Sequence, residues 1–425
     1  MPASSYVPHP DDQRVLAQVD PDEIVGTLTD LVAIPSVDGT QAELDVQRWC
    51  AERMQGLGGD VDRWDIDVAD LARDPDFPGM EVERDQAIGC VGVWGGHGAT
   101  PALALYGHTD VVPPGDLSAW RGNDPFRLRI EDGIAYGRGA CDMKGGVAAI
   151  LGAVSAVRRS GLTPARPLAV HTVSAEEDGG VGAFATLRRG HVAETCISAE
   201  PTGTEVISAN AGSLTFRIVV SGLSTHGSTR TRGVSAIELF EHVHAALREL
   251  EARRNATSAP GFEHLDLPWP LSVGTVTAGD WASSVPDRLV AEGRYGVGVD
   301  ETVADAVADL ETAVAVACAA HPWLRGRPVE VTWPGGRFAP GRMPPGHALY
   351  DEVAGCVEGV TGRRPAALGG PYGSDLRHYA GAGVATLQYG PGDVRHAHAS
   401  DEQVAVGDLV AAAQVYAMMI ARRCT

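Results

Sequence analysis

One segment of the chain indicates both the fold and the chemistry, and it reads Ala104-Leu105-Tyr106-Gly107-His108-Thr109-Asp110-Val111-Val112-Pro113. An apolar run ends at a glycine, and a histidine and an aspartate follow two residues apart. Residues i and i+2 of an extended backbone point in the same direction, so these two side chains can face one site. Open α/β sheets place their sites at the C-terminal ends of strands. The segment therefore predicts a buried strand that ends in a metal ligand, His108, and the residue that orients it, Asp110.

Four further segments carry the same residue types, and three of them also follow an apolar run. They supply Asp142, the pair Glu176-Glu177, Glu200 and His398. In a parallel sheet, residues just past the C-terminal ends of the strands converge on one edge. Nitrogen and oxygen ligands without thiolate suit zinc, cobalt or manganese sites with open positions. Together the five segments predict a metal centre at one edge of an α/β sheet.

Each of these segments also has a simpler interpretation. Asp142 stands among glycines at the predicted start of a helix, where aspartate most often serves as an N-cap. The run Glu176-Glu177-Asp178 is also typical of a solvated acidic loop, because three adjacent carboxylates repel one another unless water or a cation surrounds them. Cys141 is the one candidate thiolate, and its position beside carboxylates favours packing over metal binding.

The composition limits the class of protein. With 425 residues, 44% of them apolar, the chain is long enough for two domains or for one domain with a large insertion. A formal net charge of -21 argues against a nucleic-acid or anionic-membrane partner. The seven cysteines are scattered without a C-x-x-C pair, which favours the reduced thiols of a cytoplasmic protein. We find neither a signal peptide nor an apolar run long enough to span a membrane.

The order of predicted elements indicates an insertion within a larger domain. Strand-like and helix-like segments alternate up to about residue 212, which predicts an α/β fold with a mostly parallel central sheet. Six segments then follow in the order β-α-β-β-α-β, typical of a compact split βαβ unit. Strand-like and helix-like segments resume after Pro344. We therefore predict a metal-binding domain formed by residues 1–212 and 333–425, and an inserted α+β, ferredoxin-like domain at residues 213–332.

Six motifs in the same order resemble those of the M20 metallopeptidase family, the group of acetylornithine deacetylase, succinyl-diaminopimelate desuccinylase, aminoacylase-1 and the glutamate carboxypeptidases. The motifs are residues 107–113, residues 137–146, Glu176-Glu177, Glu200-Pro201, residues 224–228, and His398 followed by Asp401-Glu402. They cover most of the chain. The resemblance implies a metal-dependent α/β catalytic domain, and it makes the inserted domain a lid and dimerisation domain.

The resemblance implies a ligand set for one or two divalent ions per subunit, zinc first, with manganese or cobalt as alternatives. It makes Asp142 the bridge between two metal ions. His108 and Glu200 then complete one site. Glu177 and His398 complete the other. Three carboxylates would offset most of the four positive charges of two divalent cations.

The resemblance also implies the catalytic residues. Glu176 becomes the general base that takes a proton from the metal-activated water, and Asp110 orients His108 through its second ring nitrogen. His226 lies in the lid, where the family uses the matching histidine to stabilise the oxyanion, commonly across a dimer interface.

Four residues are candidates for binding the substrate. Arg294 matches the lid arginine that holds a substrate carboxylate, a task that suits a bidentate guanidinium, although an exposed strand arginine is the alternative interpretation. Arg230 replaces the proline that the family usually has near His226, and we expect its charge to favour an anionic substrate. Ser374 and Arg377 belong to a loop that resembles a family segment near the substrate.

These features predict a metal-dependent hydrolase of the M20 type that cleaves the amide bond of a small N-acyl amino acid, as a deacetylase, aminoacylase or desuccinylase does. One alternative is an aminohydrolase that releases ammonia from the C–N bond of an aromatic amino acid. Another is a non-catalytic binding protein on a relic hydrolase fold. We expect a small carboxylated substrate and a homodimer or higher homo-oligomer formed through the lid domain, with no nucleic-acid or membrane partner.

Overall fold

A computed structural model describes residues 6–96 and 98–425 of the chain. The chain divides into two compact units, each with its own hydrophobic core. Unit 1 runs up to Ala209 and also contains Arg342–Leu368 and Asp375–Thr425. Unit 2 consists of Asn210–Gly341 and Gly369–Ser374. No helix among the described residues is long and apolar enough to cross a membrane.

The described residues form a nine-stranded sheet whose middle is parallel. In spatial order its strands are Asp60–Ile66, Ala87–Trp94, Leu168–Val173, Leu103–His108, Thr195–Ser198, Ala385–Gln388, Val206–Asn210 and Gly341–Arg342, with Ala367–Gly370 paired to Val206–Asn210. Parallel central strands need crossover connections, and the sequence supplies helices between them. The predicted α/β fold with a mostly parallel central sheet is therefore confirmed.

The α-helices of unit 1 are Asp12–Leu16, Pro21–Ala33, Gln41–Gly56, Val68–Leu71, Lys144–Arg159, Val181–Arg188, Leu349–Thr361, Leu376–Gly381 and Val406–Cys424. The helix Lys144–Arg159 is buried over most of its length, because its residues are small and apolar on most faces. It packs against Pro21–Ala33 and Val406–Cys424. A small antiparallel sheet joins Arg129–Glu131 and Ile134–Tyr136 to Gln403–Ala405.

Unit 2 has the predicted β-α-β-β-α-β order. Its main strands are Gly212–Ser221, Leu271–Ala278, Arg288–Val297 and Glu330–Thr332, and its α-helices are Ala236–Arg254 and Val303–Ala320. The strand Arg288–Val297 lies between Leu271–Ala278 and Gly212–Ser221, and all neighbours are antiparallel. Along Gly212–Ser221 buried and more exposed residues alternate, so one face of this sheet carries the core.

Two short strands, Thr225–His226 and Ser284–Val285, form a separate antiparallel ribbon in unit 2. A further short strand, Arg337–Phe338, pairs with the beginning of Gly212–Ser221. Short 3-10 helices occur at Leu117–Ala119, Arg121–Asn123, Gly227–Arg232, Leu324–Gly326 and Val394–His396.

Candidate active site

Three parallel strands bring candidate residues to one edge of the central sheet. The strand Leu103–His108 ends at a candidate ligand and pairs in parallel with Leu168–Val173 and with Thr195–Ser198. Glu176 follows the first of these neighbours after a short turn, and Glu200 follows the second. Because parallel strands end at the same edge, residues that are far apart in the sequence come together there.

Five of the candidate residues form two groups that share Asp142. Within each group, one ligand atom per residue lies within 4.8 Å of the others. In the first group, Nε2 of His108 lies 3.1 Å from Oδ1 of Asp142 and 4.0 Å from Oε2 of Glu200. In the second, Nε2 of His398 lies 3.0 Å from Oε2 of Glu177 and 3.6 Å from Oδ2 of Asp142. Asp142 therefore presents one carboxylate oxygen to each group, as a bridging ligand would.

This donor set fits divalent cations. Three carboxylates and two imidazoles converge, and such nitrogen and oxygen donors suit zinc, manganese or cobalt. Burial raises the pKa of Glu200 well above its usual range and also raises the pKa of Glu177. Among the described residues, Oε1 of Glu200 is buried without a hydrogen-bond partner. A cation would satisfy this oxygen and the charge of the converging carboxylates.

Asp110 contacts both groups, and its shorter contact with His108 is made by its main-chain oxygen. Nδ1 of His108 lies 3.1 Å from the main-chain oxygen of Asp110 and 3.7 Å from its carboxylate oxygen Oδ1. The other carboxylate oxygen accepts a hydrogen bond of 3.0 Å from the main-chain N–H of Glu177. Asp110 is fully buried, so one residue contacts both the imidazole of one group and the backbone of the other.

Glu402 holds the segment that carries Asp142, and the sequence patterns gave this residue no role. The buried carboxylate of Glu402 accepts hydrogen bonds from the main-chain N–H groups of Gly139, Cys141 and Asp142, and a charged bond from Arg138. The only sequence signal for it was its place in the motif that follows His398.

This geometry tests two of the simpler interpretations, that Asp142 is a helix N-cap and that Cys141 serves packing. The helix begins at Lys144 and its N-cap residue is Met143, so the interpretation of Asp142 as the N-cap is wrong. The Sγ atom of Cys141 lies 3.3 Å from the main-chain oxygen of Asp393, outside both candidate groups. Burial raises the pKa of this thiol well above its usual range, which agrees with packing.

The acidic run at residues 176–178 is not a solvated loop. Glu176 and Asp178 are buried. The carboxylate of Asp178 accepts 2.9 Å and 3.0 Å bonds from the side chain of Arg84 and the main-chain N–H of Val82. Arg84 is itself buried and also faces the carboxylate of Glu43 at 3.4 Å. The sequence gave no signal for Arg84, because it lies far from the acidic run along the chain.

His226 and Arg230 lie in unit 2, and both are exposed. His226 belongs to the two-stranded ribbon, opposite Ser284. Its Nδ1 accepts a 3.1 Å hydrogen bond from the main-chain N–H of Ser228, which leaves the proton of the neutral ring on Nε2. The guanidinium of Arg230 pairs with Glu238 at 2.5 Å, so part of the positive charge predicted near His226 is compensated.

Arg294 and Ser374 also lie in unit 2. Arg294 donates a 3.0 Å hydrogen bond to Thr215 and lies over the ring of Phe338. The hydroxyl of Ser374 is buried and donates to Asn210 at 3.0 Å. Arg294 is exposed, whereas Ser374 is buried.

Arg377 lies in unit 1, and its side chain is 4% exposed. Its guanidinium donates a 2.7 Å hydrogen bond to the main-chain oxygen of Gly179. This burial favours a role inside the fold over the predicted contact with substrate.

Fold and site together define a metal-dependent hydrolase. The chain belongs to peptidase family M20/M25/M40, whose family model matches residues 104–422. The match includes both candidate groups and all of unit 2.

Curated relatives are similar over most of their length. A succinyl-diaminopimelate desuccinylase of Gluconacetobacter diazotrophicus is 34% identical over 336 residues, which are 76% of this chain and 81% of that enzyme. One of Xanthomonas oryzae pv. oryzae is 33% identical over 78% of this chain and 86% of its own length. An N-formyl-4-amino-5-aminomethyl-2-methylpyrimidine deformylase of Bacillus subtilis is 28% identical over 86% of both chains.

Solved structures share the fold at low sequence identity. The di-peptidase Dug1p of Saccharomyces cerevisiae has a TM-score of 0.75 at 15% identity and covers 96% of this chain and 98% of its own. Human carnosine dipeptidase 1 has a TM-score of 0.73 at 17% identity, covering 97% and 98%. An M20 family metallo-carboxypeptidase of Sulfolobus solfataricus has a TM-score of 0.72 at 17% identity, covering 93% and 98%.

Proposed function

We propose that this protein hydrolyses the amide bond of a small N-acylated amine that carries a carboxylate, with an N-succinyl amino acid such as N-succinyl-diaminopimelate as the first candidate. The observation that carries the proposal is the shared position of Asp142 between two candidate metal groups, beside the buried Glu176. The desuccinylase relatives support the choice of acyl group, and the deformylase relative indicates that other acyl groups need testing.

In this proposal one ion is held by His108, Asp142 and Glu200. The other is held by Asp142, Glu177 and His398. When bound, the ions would lower the pKa of a water molecule and polarise the scissile carbonyl. Zinc is our first choice of metal, and manganese and cobalt suit the same donors.

Glu176 is the proposed general base and, later in the reaction, the general acid. Burial raises its pKa well above the usual range of a glutamate, and the nearby charge of Asp375 adds to this rise. A carboxylate beside a metal-activated water can take its proton and later pass that proton to the leaving amine. Replacement of Glu176 by glutamine keeps the size of the side chain and removes this proton transfer.

We assign substrate recognition and oxyanion stabilisation to unit 2. His226 has its Nδ1 engaged as an acceptor, so Nε2 is the nitrogen that would donate to an oxyanion. Arg294 is the proposed partner of a substrate carboxylate, since a guanidinium ordered by Thr215 and Phe338 loses less freedom on binding. Arg230 and Ser374 remain secondary candidates.

We also propose that unit 2 mediates a homodimer. The strand Leu271–Ala278 is an edge strand of its sheet, and Val276 on this strand is 52% exposed. Exposed strand edges pair with other chains unless they are blocked. Light scattering should give twice the chain mass for the wild type and the chain mass for Val276→Lys. A monomeric wild type would contradict the dimer.

We also propose that the protein is located in the cytoplasm. All seven cysteines are buried and unpaired, as in a protein kept under reducing conditions. Cell fractionation would test it.

A product screen tests the proposed reaction. Purified protein supplied with zinc, manganese or cobalt would be incubated with N-succinyl-diaminopimelate, with N-acetyl and N-formyl amines, and with aromatic amino acids. Free amine, carboxylate and ammonia would be measured. We expect amine and carboxylate in equal amounts from at least one substrate, and no ammonia. Ammonia without a new carboxylate, from aromatic amino acids, would support the aminohydrolase alternative. No turnover with any of them would contradict the proposal.

A further inference from the structure

The turn that carries Glu176 is sharply bent and closed on itself. Ala175, Gly179 and Gly180 all have positive φ angles, of 62°, 153° and 83°. The main-chain N–H of Gly180 donates a 2.6 Å hydrogen bond to the main-chain oxygen of Ala175. The position of the Glu176 carboxylate therefore depends on what fixes the two ends of this turn.

Three polar side chains, of which Asp375 and Arg377 are buried, pack directly against the C-terminal end of the turn. A Cβ atom added to Gly180 would lie 2.3 Å from Oδ1 of Asp375, 2.6 Å from Nε2 of His378 and 2.8 Å from Nη2 of Arg377. The same Nη2 donates a 2.7 Å bond to the main-chain oxygen of Gly179. The turn is thus in van der Waals contact with the side chains of Asp375, Arg377 and His378.

Asp375 is in turn fixed by the central sheet. The hydroxyl of Tyr106 donates a 2.7 Å hydrogen bond to Oδ2 of Asp375, and both residues are buried. Tyr106 lies two residues before His108 on the same strand, so both side chains point to the same face. A buried carboxylate that loses a charge-assisted bond must find another partner or move.

We propose that Tyr106 and Asp375 are positioning residues, a clamp that holds the turn at residues 174–180 so that the carboxylate of Glu176 stays in place for proton transfer. The inference rests on the proposed function of Glu176 and adds two residues to it. It also gives Arg377 a role, because this guanidinium joins Asp375 to the backbone of the turn.

The chain offers a matched control. The ring of Tyr379 packs edge-to-face on the ring of Tyr106, with centroids 5.2 Å apart, and it is equally buried. The Tyr379 hydroxyl lies 2.9 Å from Nδ1 of His171 and belongs to a different hydrogen bond. Tyr106→Phe and Tyr379→Phe therefore each remove one buried hydroxyl from the same aromatic pair, and only the first touches the clamp.

The first test compares the steady-state kinetics of both full-length variants, loaded with zinc, on the N-succinyl-diaminopimelate or other N-acyl amine that the wild type hydrolyses. For Tyr106→Phe we expect kcat to fall between about 10- and 100-fold, with KM within about threefold of wild type and the bound zinc unchanged. For Tyr379→Phe we expect both parameters to stay within about threefold of wild type. Equal losses of kcat in the two variants, or none in Tyr106→Phe, would overturn the clamp.

A second measurement tests the clamp even if no substrate is found. Amide hydrogen exchange of the segment at residues 174–182 should be faster in Tyr106→Phe and unchanged in Tyr379→Phe. Equal exchange of this segment in wild type and Tyr106→Phe would overturn the clamp, whereas inactivity of the wild type would overturn the proposed function alone. If Tyr106→Phe does not fold, Asp375→Asn keeps an acceptor for the hydroxyl and removes the charge beside the turn. The same faster exchange is expected, and its absence counts against the clamp.

Discussion

Glu402 holds the backbone on which Asp142 stands. Its carboxylate accepts three main-chain bonds, between 2.9 Å and 3.0 Å, from Gly139, Cys141 and Asp142. Glutamine at this position would present one N–H group to donors, so at least one of these bonds would be lost. The carboxylate of Asp142 would then lose part of its orientation.

We therefore expect Glu402→Gln to weaken metal binding by about 10- to 100-fold, the usual effect of losing a partner behind a ligand. Calorimetric titration of the metal-free protein with zinc measures this directly. The neighbouring Asp401→Asn is the control, because Asp401 is exposed. Unchanged zinc affinity in Glu402→Gln would show that the segment around Asp142 does not depend on this residue.

His171 makes stability depend on pH. Burial lowers its pKa from 6.5 to about 3. Below about pH 6.5 the unfolded chain binds a proton at this histidine and the folded chain does not, so acid favours unfolding. The free energy of unfolding should thus fall by about 1.4 kcal/mol for each pH unit from about pH 6 down to about pH 3 on account of this residue.

The test is urea unfolding at pH 7.5 and pH 5.5. His171→Asn, which keeps a polar atom near Tyr379, should reduce the loss of stability between the two pH values by about 1.4 kcal/mol. His264→Asn is the control, because His264 is exposed. If His171→Asn has the same pH dependence as the wild type, the histidine titrates normally in the folded protein.

Sequence patterns could predict the candidate ligands because each follows an apolar run or a glycine-rich turn. His108 and Glu200 are examples, since both stand at the ends of strands that the apolar runs predict. Arg84 and Asp375 could not be found in this way. Their partners lie far away along the chain, and no local pattern indicates which buried charges will meet.

At the scale of elements, the turn before the helix Val181–Arg188 is a point where glycine is required. Gly180 has a φ angle of 83°, and a Cβ atom there would meet Oδ1 of Asp375 at 2.3 Å. Gly26, in the helix Pro21–Ala33, has no atom within 4 Å of the same added Cβ. The two glycines therefore respond to alanine in opposite ways.

We expect Gly180→Ala to lower the free energy of unfolding by more than about 1 kcal/mol and Gly26→Ala to raise it by about 0.4–1 kcal/mol. Thermal unfolding of both variants measures the difference. A Gly180→Ala variant as stable as the wild type would mean that the turn at residues 174–180 can relax without cost.

The elements themselves were predictable where periodicity is strong, as in the buried helix Lys144–Arg159. The small sheet that joins Ile134–Tyr136 to Gln403–Ala405 was not predicted. Its strands are three residues long and pair over a large sequence separation. Such short strands carry too little alternation to indicate a partner.

At the scale of the whole molecule, the order of elements predicted an α/β fold with an inserted α+β portion, and the fold class is confirmed. The short return of the chain at Gly369–Ser374 to unit 2 was not foreseen. It depends on a hydrogen bond from the N–H of Ala211 to the oxygen of Gly370 and on the packing of Phe262 against Gly369. These contacts are tertiary and leave no trace in local sequence.

Removal of the metal should lower the stability of the whole folded protein. Zinc that binds only the folded protein should stabilise it by about 2.7 kcal/mol at a concentration of one hundred times its Kd. Thermal unfolding with and without a chelator should therefore show a lower Tm for the metal-free protein. The double variant His108→Ala, His398→Ala should show little change on chelation, and a similar shift in this variant would place the zinc elsewhere.

The most direct test of the proposed chemistry is the turnover of Glu176→Gln measured together with its metal content. Glu176 is outside both candidate metal groups, so the variant should bind as much zinc as the wild type. We predict that its kcat for amide hydrolysis falls by about 100-fold or more, because a proton transfer is lost. A variant with full zinc and wild-type kcat would contradict the assignment of Glu176 as the general base.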